Sequence, residues 1–544
     1  MGAGTPAIAA EPRVRVLIWL LGCAGAGGVA PALGPIGDDP EVVTLDTSEP
    51  PPPSGDCALV SDLRDANFLE GDAVRFTVEC TGILATDAAA FTSGSLPPQA
   101  IFDADTRVFS WATGPADGGR YDIDFSILPR DGSADVADAG TVTIWVADDP
   151  SNADNIAVVP KHYTEEWGLP VVHVSTEATP DTSAYSDATV TWYGREYPAG
   201  IQVHGKTSTH YPKLSYALKF SAAELPIDAW GVRRDHLLLI TTFDDNSYVR
   251  QKFTYDLWAA MAAYWGQPRL TPRALFSVVY MNGAYLGLYT AEDRVDDEFA
   301  DHMGFDRDGN IYKAVDIAAN YSLTDAEGVE KTSYHQGFDK MEGEPADDFT
   351  DLDALVNFTG HSTAAQLVAG AGEWIDLNEW LDALTLLLYV NGEDSYLKNI
   401  YLYHATGGVF RYAPWDFNAS WGQNWRTYRV RSTFIDGDAS TNRIFAALLN
   451  DSSASATMWE RFGDMRANGP FSETWQTTTL DNYFGMIDRS AQRDWDAWGE
   501  TYKTYIGWAT SRDSKADWTD YEGEKAYVYQ WVSERAAYFQ TTHP

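Results

Sequence analysis

Apolar and polar residues alternate with a period of two at both ends of the segment 57–149. VRFTVEC (Val74–Cys80) and TVTIWVA (Thr141–Ala147) both show this alternation. Such a pattern is typical of strands that bury one face. Residues 57–149 are therefore predicted to form an all-β domain.

The residues 155–544 combine strand and helix patterns. Apolar residues recur at helical spacing along 248–265, and 378–390 is apolar enough for a buried helix. Two apolar runs flank Asn282-Gly283, a dipeptide typical of two-residue hairpin turns. Four more strands are predicted, at 169–175, 188–194, 199–205 and 214–220. This order predicts a second, α+β domain with a mostly helical end after Ser452.

The N-terminus has the features of an export signal. Arg13 and Arg15 precede a short apolar run that is too short to span a bilayer. The run ends in Leu-Leu-Gly-Cys23, which resembles a bacterial lipobox, so residues 1–23 are interpreted as a signal with lipidation at Cys23. Cleavage near 29–34 is the alternative. Residues 24–56 are rich in proline and lack periodicity, which predicts a disordered tether.

Composition narrows the classes of partner. The net charge of −41 argues against nucleic acid and anionic membrane surfaces as partners, because both would repel the chain. Contact with a membrane is expected only through the N-terminal lipid. The chain has three cysteines. If Cys23 carries the lipid, Cys57 and Cys80 can pair as a disulfide in an exported, cell-surface or periplasmic protein.

One stretch contains candidate catalytic groups. After the helix predicted at 378–390, Asp394 precedes Asn399 by five positions, and a predicted hairpin then leads to Asp416. Protein kinases use this arrangement: one Asp accepts the substrate hydroxyl's proton, while the Asn and a second Asp hold Mg²⁺. Ordinary loop capping and an Asx turn explain the same residues equally well.

Several motifs of the second domain resemble those of the spore-coat CotH kinase family. They are, in order, YPKLSYALKF, FDDNSYVRQKFTYDL, VVYMNGAYLGLYTAEDRVDD, GNIYKA, DSYLKNIYLY and APWDFNASWG. The resemblance covers about 155–544 and is strongest over 212–422. It implies an atypical secreted protein kinase with a kinase-like fold that uses ATP and Mg²⁺ (or Mn²⁺) to phosphorylate Ser or Thr of proteins. By that likeness Asp394 is catalytic, and Asn399 and Asp416 bind the metal.

The resemblance also implies a nucleotide-binding side. Lys219 resembles the kinase lysine that contacts the α- and β-phosphates, with Lys213 as the fallback. Glu292 is expected near the adenine or paired with a lysine, and Lys398 near a phosphate. Lys219, Glu292 and Lys398 each have a plain alternative interpretation as a strand-end or solvated loop charge.

Two positions depart from the family pattern. His204 stands where the family more often has Arg, and Asn418 stands where it often has a second Asp. A glycine-rich G-x-G-x-x-G loop is absent from the sequence. The Asn418 difference is expected to weaken a second metal without removing the first.

Within 57–149, the segment from Leu96 to Ile127 resembles bacterial Ig-like or cadherin-like modules, which are β-sandwiches. The whole chain is thus expected to be multidomain: an Ig-like sandwich followed by an atypical kinase-like α+β domain. Because ATP is scarce outside cells, a catalytically silent surface protein for adhesion or binding is the alternative to an active kinase.

Overall fold

The computed structural model describes residues 58–63, 67–81, 89–114, 117, 119–129, 138–147, 165–435, 437–505 and 520–543. The predicted export signal, the lipobox Cys23, the Pro-rich tether and Cys57 lie outside the described residues. These assignments remain predictions. Cys80 is disulfide-bonded.

The N-terminal region is entirely β within its described residues. Its strands are β1 Ala58–Ser61, β2 Asn67–Leu69, β3 Ala73–Thr81, β4 Ala89–Ser93, β5 Ile101–Asp103, β6 Val108–Ala112, β7 Gly119–Pro129 and β8 Asp138–Ala147. They form two four-stranded sheets, ordered β1-β3-β6-β5 and β2-β8-β7-β4. Phe125 of the second sheet packs edge-on against Phe76 and Phe102 of the first, with ring centroids 5.9 and 5.0 Å apart. Alternating inward residues thus bury a core between two sheets, as the period of two predicts; the Ig-like assignment itself stays a prediction.

The C-terminal region begins with a large mixed sheet. Its strands are β9 Glu165–Glu166, β10 Leu169–Ser175, β11 Ser186–Trp192, β12 Arg195–His204, β13 Ser215–Lys219, β16 His236–Ile240, β17 Ala274–Met281 and β18 Ala284–Glu292, and a separate hairpin comprises β14 Leu225–Ile227 and β15 Val232–Arg234. The sheet order is β11-β12-β13-β16-β18-β17-β10-β9. The β17–β18 turn uses Asn282 and Gly283, both with positive φ (50° and 81°), as the Asn-Gly signal predicts.

The remaining described elements are mostly helical. The helices are α1 Arg250–Trp265, α2 Asp297–His302, α3 Thr350–His361, α4 Ala364–Gly370, α5 Leu377–Val390, α6 Arg443–Asn450, α7 Ser452–Asn468, α8 Glu473–Thr504 and α9 Tyr521–Thr542. The last strands are β19 Asn310–Ala314, β20 Phe338–Glu342, β21 Ile400–His404 and β22 Arg411–Pro414. These four strands form a second sheet, ordered β20-β19-β21-β22. No helix within the described residues is long and apolar enough to cross a bilayer.

One continuous core joins the large sheet to the helices. Phe253, Leu257 and Trp258 of α1 are fully buried and belong to the same cluster as the sheet residues Val278 and Leu238. Nearly every residue of α5 is buried as well, which explains why its sequence is apolar on all sides. The core therefore holds α1, α5 and both sheets in fixed relative positions.

Candidate active site

The loop after α5 positions Asp394. Asn391 ends the helix in the left-handed conformation (φ 56°), and a short 3₁₀ turn follows at Glu393–Ser395. Asn tolerates this conformation better than most residues, so the chain reverses there at little cost. The turn leaves the Asp394 side chain partly exposed.

Asp394 and Asn399 are in direct contact. The Asn399 side-chain amide donates to Asp394 Oδ2 at 3.1 Å and to the Asp394 carbonyl at 3.2 Å. Lys398 Nζ lies 3.0 Å from Asp394 Oδ1. Burial raises the pKa of the Asp394 carboxyl, while Lys398 and the Asn399 bond oppose this rise. The loop therefore places one carboxylate, one amide and one cation together.

Asp416 follows β22 on the neighbouring turn. Its backbone is left-handed (φ 60°), and its N–H donates to the Tyr255 hydroxyl of α1 at 3.3 Å. Its carbonyl accepts from Ser395 Oγ at 3.3 Å, which links the turn to the Asp394 loop. Burial raises the pKa of the Asp416 carboxyl to about 7, and the Asp394 and Asp244 carboxylates add to this rise. Asp416 thus faces both neighbouring carboxylates.

Asp244, in the loop between β16 and α1, is a site residue that the sequence reasoning missed. Its Oδ2 accepts from Asn418 Nδ2 at 2.5 Å and from the Tyr211 hydroxyl at 3.2 Å. Burial raises the pKa of this carboxyl to about 6, and Asp245 adds to the rise. Asp244 lies 150 residues or more before the other two acids in the sequence, so no local spacing could have indicated it.

A buried arginine clamps these segments. Arg250, the first residue of α1, donates from Nε to the Ser420 carbonyl at 3.1 Å. Its two terminal nitrogens bond Asp245 Oδ1 at 2.5 Å and Glu524 Oε1 at 2.6 Å. Since Ser420 closes the turn that contains Asp416 and Asn418, Arg250 holds that turn against α1 and α9.

Lys313 of β19 is the second residue that the sequence reasoning missed. Its Nζ lies over the rings of Tyr401 and Trp415, 5.2 and 5.5 Å from their centroids. Together with Lys398 it opposes the rise in the pKa of Asp416, so both cations lie close enough to act on that carboxylate electrostatically. The GNIYKA motif contains Lys313, but the sequence offered no reason to separate it from a solvated strand lysine.

The two lysines predicted on the nucleotide side lie elsewhere. Lys213 is fully buried, and its ammonium donates to Asp494 Oδ2 (2.6 Å), the Leu288 carbonyl (2.8 Å) and the Tyr502 hydroxyl (3.3 Å). All three of its N–H groups are therefore satisfied within the fold. Lys219 is exposed at the end of β13, in register with Gly200 and His236. The structure does not bring either lysine into contact with Asp394 or Asp416.

Glu292, at the end of β18, is fully buried. It accepts hydrogen bonds from Gln251 Nε2 (2.5 Å) and Thr290 Oγ1 (2.7 Å). Burial raises the pKa of this carboxyl to about 8, with Asp416 and Asp293 adding to the rise. Gln251 of α1 is thus the partner of Glu292, where the sequence reasoning offered a lysine or the adenine.

His204 ends β12, near Lys313 and Arg294. Its pKa is lowered to about 3, mainly by burial and also by the positive charges of Lys313 and Arg294. The imidazole is therefore neutral at physiological pH. It does not replace the positive charge of the Arg that the family pattern more often has.

The oxygen atoms at this site fit a hard divalent cation. Asp394 and Asp416 offer carboxylates, and the Asn399 amide oxygen is not used by either hydrogen bond that its nitrogen donates. Mg²⁺ prefers such oxygens and completes its shell with water and phosphate. The nearby carboxylates repel one another, and this repulsion contributes to the raised pKa of Asp416. A bound cation would offset it.

Comparison with known proteins gives the same assignment. The family described as CotH kinase protein matches residues 201–539. The chain belongs to the CotH kinase family. The inner spore coat protein H of Bacillus subtilis (strain 168) is 28% identical over 254 residues, which is 46% of this chain and 66% of that protein. The predicted family resemblance is confirmed.

The CotH match includes every element that carries the site. It starts within β12, before His204, and ends in α9, so Asp244, Lys313, Asp394, Asn399 and Asp416 all lie inside it. The β-rich N-terminal region lies outside it. The family assignment thus applies to the C-terminal region alone.

Proposed function

We propose that this CotH protein is a metal-dependent kinase that transfers the γ-phosphoryl group of ATP to a Ser or Thr hydroxyl of a protein. The observation that carries the proposal is the contact of Asp394 with Asn399, beside an Asp416 carboxylate that faces Asp394, Lys398 and Lys313. Phosphoryl transfer requires these groups: a proton acceptor, oxygen ligands for a divalent cation, and cations for phosphate.

Asp394 is the proposed proton acceptor. The substrate oxygen forms its bond to the γ-phosphorus while the bond from that phosphorus to the β,γ-bridging oxygen breaks, and ADP leaves. The hydroxyl proton passes to Asp394 Oδ, which Asn399 and Lys398 hold in place. General base and positioning roles of this kind suit a partly exposed carboxylate with fixed neighbours.

Asn399 and Asp416 are the proposed metal ligands, with Asp244 as an added carboxylate. A divalent ion held there would neutralise the charge of the transferring phosphates. Asp244 accepts a hydrogen bond from Asn418. Asn418 stands at the position where the family pattern often has an Asp. We propose that Asp244 supplies from another loop the carboxylate that Asn418 lacks.

Lys313 and Lys398 are the proposed phosphate contacts. We assign to Lys313 the phosphate contact that was first expected of Lys219 or Lys213. Lys313 lies close enough to Asp416 to affect its pKa, whereas Lys213 is bound to Asp494. Lys313 contacts neutral aromatic rings, and Lys398 contacts the carboxylate of Asp394. The remaining N–H groups of both lysines can therefore bind phosphate oxygens.

We further propose that the protein acts outside the cytoplasm, at the cell surface or in the periplasm. The export-signal pattern, the lipobox at Cys23 and the disulfide bond of Cys80 support this location, and the spore-coat name of the Bacillus relative agrees with it. A membrane is contacted only through the lipid, and the partner is a protein with Ser or Thr.

The test is phosphate transfer by the purified full chain. Labelled ATP with Mg²⁺ or Mn²⁺ and dephosphorylated casein should give incorporation into casein or into the chain itself. Asp394→Asn and Asp416→Asn should each lower it at least 100-fold, since Asn has the shape of Asp but lacks its charge, and at position 416 it also tolerates the left-handed backbone. Asp308→Asn, in an exposed turn, is the matched control. Absence of both incorporation and a nucleotide-dependent thermal shift would favour the alternative, a silent surface protein for adhesion or binding.

A further inference from the structure

A second group of metal-ligand side chains is made of residues other than Asp394, Asn399 and Asp416. Asp235 and His236 stand where β15 turns into β16, and Asp296 precedes α2. One ligand atom from each lies within 4.8 Å of the others. His236 Nδ1 is 2.9 Å from Asp235 Oδ1 and 3.7 Å from Asp296 Oδ2. Three potential ligands from two chain segments thus converge.

Two atoms of this group are buried without a hydrogen-bond partner. They are Asp296 Oδ2 and His236 Nε2, and the two residues are only 2% and 8% exposed. The other oxygen of Asp296 is fully used, since it accepts from Arg234 (2.8 Å) and from the Phe299 N–H (2.9 Å). Burying a carboxylate oxygen without a hydrogen-bond donor costs free energy. A metal ion bound to Asp296 Oδ2 would compensate that cost.

The charge around the group is unbalanced. Arg234 lies among Asp293, Asp296 and Glu298 at 2.8–3.4 Å, and Arg273 pairs with Asp293. With Asp235 beside His236, these named residues carry four carboxyl groups and two guanidinium groups. Buried charges are normally paired or bound to metals, so a dication fits the excess.

We propose that Asp235, His236 and Asp296 bind a divalent transition-metal ion. One imidazole and two carboxylates suit Zn²⁺, Mn²⁺ or Co²⁺ better than Mg²⁺, which favours oxygen ligands alone. The ion takes the place of the proton that His236 Nδ1 and Asp235 now share. It connects the β15–β16 corner to the start of α2, and it is separate from the all-oxygen site of Asp394, Asn399 and Asp416.

The test uses Co²⁺, because its visible d–d bands shift and gain intensity when protein ligands replace water and lower the coordination number. The full chain carrying Asp416→Asn, which weakens the other site, is titrated with Co²⁺ and its bound metal is counted by mass spectrometry. We expect one equivalent with a visible band that Zn²⁺ displaces. His236→Gln should weaken binding at least tenfold. His404→Gln is the matched control, since His404 Nδ1 also lies 2.6 Å from a carboxylate oxygen, that of Asp351.

Asp296→Asn gives a second, independent reading. Asn is as good an N-cap as Asp, so the helix cap is kept while the carboxylate is lost. This variant should lose the cobalt band and the rise in Tm on adding Zn²⁺. If the parent binds no cobalt, or if both variants bind it as tightly as His404→Gln, the three residues form a hydrogen-bonded ion group only and the proposal is wrong.

Discussion

Asn418 donates a hydrogen bond from Nδ2 to Asp244 Oδ2 at 2.5 Å. The pair joins the turn after β22 to the loop before α1, and Gln423 Nε2 strengthens the junction by donating to the backbone carbonyls of both Asp244 (2.6 Å) and Asn418 (3.2 Å). The CotH pattern often has two acids on the turn after β22. In this protein the turn has the acid Asp416 and the amide Asn418, and Asn418 binds the carboxylate of Asp244 from another segment.

Asn418→Asp should destabilise the metal-free protein and make its stability depend on metal. The substitution replaces a donor with a second carboxylate beside Asp244, which costs about 1–3 kcal/mol through the lost bond, with repulsion added. A divalent cation would offset that repulsion. We expect a lower Tm in EDTA and a larger Mn²⁺-induced rise in Tm than in the wild type, measured by calorimetry.

Asn424→Asp is the matched control for this prediction. Asn424 lies in a nearby turn, where its Oδ1 accepts from the Arg426 and Tyr428 N–H groups, so an Asp can keep both bonds. Its Tm should respond to Mn²⁺ as the wild type does. An Asn418→Asp protein whose Tm is equally insensitive to Mn²⁺ would show that Asp244 is not near a metal.

Local patterns were sufficient to predict the elements around the loop that contains Asp394. β21 and β22 form the hairpin predicted before Asp416. α5 starts one residue before its predicted start and ends at Val390, and the Asn282-Gly283 turn closes its hairpin. Asp394 and Asn399 are five positions apart, so a single loop determines their contact. Periodicity and turn chemistry act over such short distances, and that part of the fold follows from them.

The missed and misplaced residues depend on distant contacts. Lys213 and Asp494 are 281 positions apart, so nothing near Lys213 in the sequence indicates that it is already paired. Asp244 and Asn418 are 174 positions apart. Lys313 acts on Asp416 electrostatically because β19 pairs with β21, which in turn pairs with β22. Tertiary packing decides these partners, and one sequence does not encode it in any local spacing.

Glu292→Gln should stabilise the protein at alkaline pH. Because the folded pKa of Glu292 is raised from 4.5 to about 8, the folded state binds more protons than the unfolded state between these values. The wild type therefore loses stability as pH rises from about 4.5 to 8, by an amount on the order of a few kcal/mol. The Tm gain of Glu292→Gln should grow from pH 5 to pH 9. The exposed Glu327→Gln should show no such trend, and a gain independent of pH would contradict the burial argument.

Arg250→Met should be strongly destabilising. Removing the guanidinium leaves Asp245 with buried, uncompensated charge, takes one of two cations from Glu524, which keeps Arg429 at 2.8 Å, and frees the Ser420 carbonyl, a loss of about 3–5 kcal/mol. Denaturant unfolding followed by tryptophan fluorescence would measure it. Arg307→Met removes an ion pair with Asp297 whose side chains are 54% and 36% exposed, and should change stability by about 0–1 kcal/mol. Equal effects of the two changes would mean that Arg250 does not clamp the turn.

Lys313→Met should weaken nucleotide binding at least tenfold with little loss of stability. Its ammonium faces Asp416 and two aromatic rings, so the fold loses about 1 kcal/mol of cation–π energy, while the phosphates lose a cation. Calorimetric titration with an ATP analogue and Mn²⁺ gives the affinity. Lys340→Met is the matched control, because Lys340 also lies over a ring, that of Tyr312, on an adjacent strand. Lys213→Met should instead lower Tm sharply through the unpaired Asp494. If Lys313→Met binds nucleotide as the wild type does, then Lys313 is not a phosphate ligand and the assignment returns to Lys398 or Lys219.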